Sequence, residues 1–329
     1  MVLCKINHGC ILVQIFTMPI RIFRDARYFQ IIFQSVFLVY GIYQLHWCTD
    51  WGIYFLYFGT GMATQLVAEI VLCAYHGNQA AYNCWKRYTK GIPSICISSL
   101  GLCLLLRTNE PAVAILAAAL AVLSKYLLRY RGKNIFNPSA FGIVVAMLTG
   151  HAWISPGQWG SNAILVFAVC CFGFVITTRV QKLDTSLSFL GMFSLLLYFR
   201  QVIYLGWPPD YLIPSVLSGS TLLFSFFMIT DPKTTPNHFV ARIVWAAAIG
   251  AGSFYLSAFH FINGSPIYVL LCAQLFVPLI DRICKAGKFE WVSNKSNRGD
   301  KTRTQLPTHH FITAPAIANL FAGDKKNKI

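Results

Sequence analysis

Acidic side chains are scarce. The 329-residue chain has only 11 Asp and Glu, and residues of either charge make up 12%, about half the fraction usual in soluble domains. With 56% apolar residues and a mean hydropathy of +0.56, that shortage excludes both a soluble globular enzyme and a disordered chain. No C-x-x-C pair occurs among the 11 cysteines, and most of them sit in apolar runs. They read as small apolar residues, which excludes a secreted disulfide framework and an iron–sulfur ligand set. Nucleotide-cradling glycine loops, H-E-x-x-H and a catalytic-triad pattern are also missing, so no catalytic residue and no metal site is assigned. The apolar run Cys10–Thr17 is too short to span and lacks a small-residue cleavage site, so no signal peptide is expected.

What the chain has is long apolar stretches. They fall at 28–48, 52–75, 91–106, 111–128, 138–150, 161–178, 186–205, 212–229, 239–262 and 264–284. At roughly 20 residues per crossing, they predict an all-α polytopic membrane protein with ten transmembrane helices. The basic stretch opened by Met18 is amphipathic, suits the membrane interface, and makes Met1 and Met18 alternative starts.

The net charge of +16 would suggest nucleic acid in a soluble protein, but its placement gives a simpler reading. Numbering the loops alternately from the N-terminus puts 24 of the 27 Lys and Arg on one side. Basic loops mark the cytoplasmic face, so both termini are expected there, in the inner (cytoplasmic) membrane, with the bilayer as partner and no nucleic acid. The tail from 286 to 329 is polar and basic and reads as a disordered cytoplasmic segment near anionic lipid.

Ten spans halve into five and five, and an odd number inverts the second half relative to the first. The expected organisation is a cytoplasmic segment 1–27, five-helix repeats over 28–150 and 151–285, and the tail. Matching loops support the division. Glu110-Pro111 precedes span four and Asp231-Pro232 precedes span nine; Asn137-Pro138-Ser139 precedes span five and Asn263-Gly264-Ser265-Pro266 precedes span ten. The prolines are offset by 121 and 128 residues. An acid or Asn before Pro is common where a helix starts, so capping is the plain reading. Helix N-termini also present unpaired N–H groups and partial positive charge, which suit an anion or a polarised carbonyl. Span five is short, so Lys133–Pro138 is expected to reach membrane depth as non-helical backbone, which requires burial in protein or a cavity.

At these loops the chain resembles the NqrB/RnfD family, membrane subunits of the sodium-translocating NADH:quinone reductase and of the Rnf electron-transport complex. The matching residues are Arg24-Asp25-Ala26-Arg27-Tyr28-Phe29-Gln30, Asn137-Pro138-Ser139-Ala140-Phe141-Gly142 and Phe227-Met228-Ile229-Thr230-Asp231-Pro232. The loop Trp153–Gly160 is most similar to a stand-alone UnbU-like branch. The resemblance covers about residues 18–285 and implies the ten-span inverted-repeat fold, a role in electron transport, other membrane or periplasmic redox subunits as partners, and flavin (FMN or riboflavin) or quinone as cofactor. Family members with covalent FMN carry it on the Thr of an S/T-G-A-T motif in the outer loop after span five. Here Gly150–Ser161 has no such motif, so covalent FMN is not expected and a non-covalent flavin or quinone is.

The candidate cofactor-binding residues are Asn137, Pro138, Ser139, Thr230, Asp231, Pro232 and Lys233. Glu69 lies inside span two, where an ionisable group marks a functional site by default. Its expected partner is Lys125 near the inner end of span four, the two forming an ion pair able to relay H⁺ or Na⁺. The leading reading is a membrane subunit of an electron-transport system that binds flavin or quinone between the repeats, with coupled Na⁺ or H⁺ movement. The alternative is a small-solute channel of the urea or ammonium type, an analogy of fold alone. A structural anchor acting through its basic tail is a third.

Overall fold

The computed structural model describes residues 26–47, 50–76, 81–154 and 163–287. The chain divides into units Met1–Trp291 and Val292–Ile329, and every described residue belongs to the first. The interfacial stretch from Met18 to Asp25, the 155–162 part of the outer loop and most of the tail lie outside the described residues.

Each apolar stretch carries helix. In the first half these are α1 (Ala26–Tyr43), α2 (Trp51–His76), α3 (Ala81–Leu105), α4 (Pro111–Leu127) and α5 (Pro138–Leu148). The second half holds α6 (Ala163–Val180), α7 (Leu183–Tyr198), α8 (Leu212–Val216), α9 (Gly219–Leu223), α10 (Phe239–His260), α11 (Ser265–Leu275) and α12 (Val277–Ile283). Among the described residues four helices are long and apolar enough to cross a membrane; counting each of two bent pairs as one span makes six. The bends are 52° where α8 gives way to α9 and 45° where α11 gives way to α12. Helix α3 starts ten residues before the apolar stretch does, because the basic turn Lys86–Lys90 is itself helical and Pro93 is accommodated inside it.

Two antiparallel ribbons interrupt the helical plan. Strands β1 (Leu106–Thr108) and β4 (Ala152–Ile154) pair Leu106 with Ile154 and Thr108 with Ala152. Strands β2 (Arg129–Tyr130) and β3 (Lys133–Asn134) form a hairpin whose turn places Arg131 and Gly132 at φ 49° and 80°. The backbone from Lys133 to Asn137 is therefore non-helical, a short strand followed by a bend, and the helix begins only at Pro138.

The molecule is turned inside out relative to a soluble domain. Val67, Val71, Phe167, Val244 and Tyr255 are exposed on helix faces, while Gln34, Ser99, Ser186, Ser253 and Gln274 are buried between helices. Such a surface suits acyl chains, and the chain is an integral membrane protein. The interior polar groups bond across helices: Ser186 Oγ donates to Ser225 O at 2.6 Å, and Ser265 Oγ to Ser253 O at 2.9 Å. The closest helix packing in the first half joins α4 to α2 and to α5; in the second half it joins α10 to α7 and to α11. One contact in each half needs glycine. A Cβ on Gly142 would stand 2.5 Å from Ala117 O, and one on Gly250 would stand 2.8 Å from Phe189 O.

Candidate functional site

Asn137 organises the junction between the halves. Its Oδ1 accepts the Ala140 N–H at 3.2 Å, which caps α5, with Pro138 in the first turn where its missing N–H costs nothing. Its Nδ2 donates to Met228 O at 3.2 Å, and its backbone N–H donates to Gln274 Oε1 at 2.9 Å. One residue thus ties the start of α5 to the end of the α9 segment and to α11. Ser139 Oγ reaches Ser98 O on α3 at 3.4 Å.

Asp231 does not start a helix. Its Oδ1 accepts the Lys233 N–H at 3.0 Å and its carbonyl accepts Thr234 and Thr235, so Asp231-Pro232 opens a run of turns. Helix α10 begins eight residues later, at Phe239, and is capped by His238 through Ala241 N–H at 3.4 Å. The capping expected of Asp231 is thus corrected: the Thr234-Thr235-Pro236 turn intervenes. Burial pushes the Asp231 carboxyl above the ordinary carboxylate range, against the pull of the Lys233 N–H and of Lys233, Lys125 and Lys133. Burial lowers the Lys233 ammonium, with Asp231 opposing. Glu110 shows the same lesson: it makes no cap bond at α4, and its Oε1 instead meets His151 Nδ1 at 2.8 Å.

All seven residues Asn137, Pro138, Ser139, Thr230, Asp231, Pro232 and Lys233 line one inner cavity of about 90 Å³, which Gln34 also borders. Gln34 is buried and its Oε1 has no hydrogen-bond partner. A space of this size takes a few waters or a small ion and falls well short of the roughly 300 Å³ at which small-molecule sites begin.

Glu69 and Lys125 are not partners, which corrects the expected pair. Glu69 Oε1 accepts the Tyr126 hydroxyl at 2.9 Å, and Arg87 Nε lies 3.8 Å from its Oε2. The Lys125 ammonium donates to Ser94 O at 3.0 Å, beside the inner cavity. The helical turn through Lys86–Lys90 brings Arg87 to Glu69, a cation that an apolar-window reading leaves in a loop. Among the described residues no group of three or more His, Cys, Asp or Glu is placed to hold a metal ion.

A larger cavity, about 430 Å³, lies between α7, α9, α10 and α11. Here α7 continues as a π-helical turn, Phe199–Tyr204, which carries Arg200 and Gln201 into the wall; α9 likewise continues as one, Phe224–Met228. Such widened turns recur at functional sites. The Arg200 guanidinium lies 4.2 Å from the centre of the Phe259 ring, and Gln201 Oε1 is buried with no hydrogen-bond partner. Ser218 caps α9 through Thr221 N–H at 3.4 Å and donates to Thr221 Oγ1 at 2.7 Å. Sequence reasoning missed this wall, although Ser218-Gly219-Ser220-Thr221 differs from S/T-G-A-T at one position. In the structure that tetrapeptide is a helix cap.

The profile of the NQR2, RnfD, RnfE family matches residues 144–290. Over that stretch the chain is similar to the NqrB/RnfD family. Similar curated proteins carry the name of a subunit of an ion-translocating oxidoreductase complex. That of Escherichia fergusonii is 27% identical over 157 residues, covering 46% of this chain and 41% of its own length. That of Vibrio atlanticus is 29% identical over 140 residues, covering 42% and 37%. A shorter match to that of Tolumonas auensis is 38% identical over 78 residues, covering 23% and 22%. These alignments span about two fifths of the length of the first two relatives, and the residues matched by the family profile lie almost wholly in the second half. Every residue of the larger cavity's wall except Leu105 lies within the matched stretch.

Proposed function

We propose that this NqrB/RnfD-like chain is a membrane subunit of an electron-transport system and holds a flavin or quinone non-covalently in the 430 Å³ cavity. The observation that carries the reading is the coincidence of that cavity with the family-matched stretch. The fit is chemical as well as volumetric. Gln201 Oε1 offers a buried acceptor that a ring N–H or hydroxyl would satisfy, and Arg200 offers a cation for a carbonyl oxygen. Trp207, Phe224 and Phe261 give the wall flat apolar surface. A bound flavin or quinone supplies one- or two-electron transfer; the protein orients the ring and keeps water from it.

The smaller inner cavity, with Asn137, Ser139, Thr230, Asp231 and Lys233, then serves water or a small ion coupled to that transfer. Ten spans in two inverted five-helix repeats are supported by the paired packing of α2 on α4 and α7 on α10, and by short α5 and α11, each with a proline in its first turn. Charge placement supports inner-membrane insertion with both termini cytoplasmic. The redox partners are further membrane or periplasmic subunits. A urea- or ammonium-type pore gains no support from the relatives.

The test is an absorbance spectrum of the purified chain before and after acid precipitation, with organic extraction for quinone. Flavin or quinone that leaves on precipitation or extraction, and is depleted in Gln201→Leu, is the expected result. A cofactor that stays bound points to a covalent link, with Thr221 the residue to map. A preparation with neither cofactor overturns the reading.

A further inference from the structure

A third cavity, of about 140 Å³, opens between the β2–β3 hairpin and α12, on the other side of Asn134 from the inner cavity. Its wall carries Arg131, Lys133, Arg282 and Lys285 against a single carboxylate, Asp281. That carboxylate is already consumed. Asp281 Oδ2 accepts Lys133 Nζ at 2.9 Å and Asn237 Nδ2 at 3.1 Å, and Oδ1 accepts the Asn237 N–H at 2.9 Å. Lys133 in turn spends its remaining donors on Asn237 Oδ1 and Thr235 O. The Lys133–Asp281 pair is therefore neutral and closed, and Arg282 and Lys285 stand in the wall beyond it, with Arg131 held over the Tyr130 ring on the hairpin side. With Asp281 committed to these donors, the space suits an anion rather than a cation.

The surroundings specify which kind. Helix α12 and its cap residue present Phe276, Leu279 and Ile283 outward at spacings of three and four residues, with exposures of 59%, 53% and 74%. On an integral membrane protein that stripe faces acyl chains, and Arg282 and Lys285 stand beside it. Val277, Pro278 and Ile135 give the cavity an apolar floor. Two cations at the edge of a lipid-facing apolar stripe match a molecule with a phosphate at one end and hydrocarbon at the other; a free phosphate would leave the stripe unused.

We propose that this cavity binds the phosphate of an anionic phospholipid, with Arg282 and Lys285 as its principal contacts and Arg131 on the opposite wall. The site stands independently of any flavin or quinone.

The experiment titrates the purified full chain in detergent with phosphatidylglycerol, with phosphatidylcholine and with inorganic phosphate, reading bound ligand by native mass spectrometry. Phosphatidylglycerol is expected to be retained at least about tenfold better than phosphatidylcholine, with inorganic phosphate failing to displace it at equal concentration. The double variant Arg282→Gln/Lys285→Gln loses that preference, whereas Arg282→Lys/Lys285→Arg keeps it and shows that the fold survives. Arg131→Gln, on the hairpin, gives a smaller loss and serves if the double variant does not fold. Equal retention of the two lipids, an unchanged preference in the Gln variants, or displacement by inorganic phosphate overturns the proposal.

Discussion

Asn137 bonds three separate elements through three different atoms, and the replacement Asn137→Ala separates what each contributes. Alanine keeps the backbone donation to Gln274 but loses the cap on Ala140 and leaves Met228 O buried and unpaired. A lost cap costs about 1 kcal/mol and an orphaned buried carbonyl about 1–3 kcal/mol. The expected destabilisation is about 2–4 kcal/mol, read as a lower unfolding midpoint in detergent. Asn137→Asp retains the cap acceptor and loses only the donor, and it adds a buried charge. An alanine variant within about 0.5 kcal/mol of the parent would show that the junction between the halves does not run through this side chain.

At the scale of elements, two helix pairs are built alike: α5 meets α4 at Gly142, and α10 meets α7 at Gly250. In both, the obstacle to a Cβ is a backbone carbonyl in the facing helix, which cannot turn aside as a side chain can. Gly142→Ala and Gly250→Ala are each expected to lower stability by about 1–3 kcal/mol through overpacking. Gly59→Ala, where no atom would meet the new methyl, is the control and should leave the midpoint unchanged or raise it slightly. Matched losses would support the reading that the two pairs are equivalents; a neutral Gly250→Ala would count against it. Much of this layer was legible in the sequence, because apolar runs and Asn-Pro or Glu-Pro starts mark where α4 and α5 begin. The breaks at Leu217-Ser218 and Phe276 were not, since one or two residues vanish inside a long apolar run. Nor was the delayed start of α10, where a proline-closed series of turns looks like a helix cap until the backbone is seen.

Over the whole molecule, the loops that hold the cations could be read from the sequence, whereas the burial of those cations could not, because burial depends on which loops fold back on one another. Lys182, between α6 and α7, is 4% exposed, and its ammonium makes one long bond, 3.4 Å, to Pro236 O. Arg242 and Lys133 crowd it, and Asp184 and Asp281 only partly answer them. Asp184 is already committed to Arg242 and Asp281 to Lys133. Burial first and the neighbouring cations second lower the Lys182 amine from 10.5 to about 7. Between those two values the unfolded chain binds a proton that the folded chain gives up, so stability rises with pH across that window and levels off at either end. Lys133, lowered in the same direction by burial, adds to the rise, while Asp231, raised by burial, works in the opposite sense above the ordinary carboxylate value. Lys182→Met removes the titrating group and its desolvation cost while filling the same space. The variant should unfold at a higher midpoint than the parent near neutral pH and climb less steeply toward alkaline pH. The measurement is a midpoint series in detergent from about pH 6 to about pH 10, spanning the window set by the ordinary lysine value. An unchanged slope would place the titration elsewhere, with Lys133 the next residue to replace.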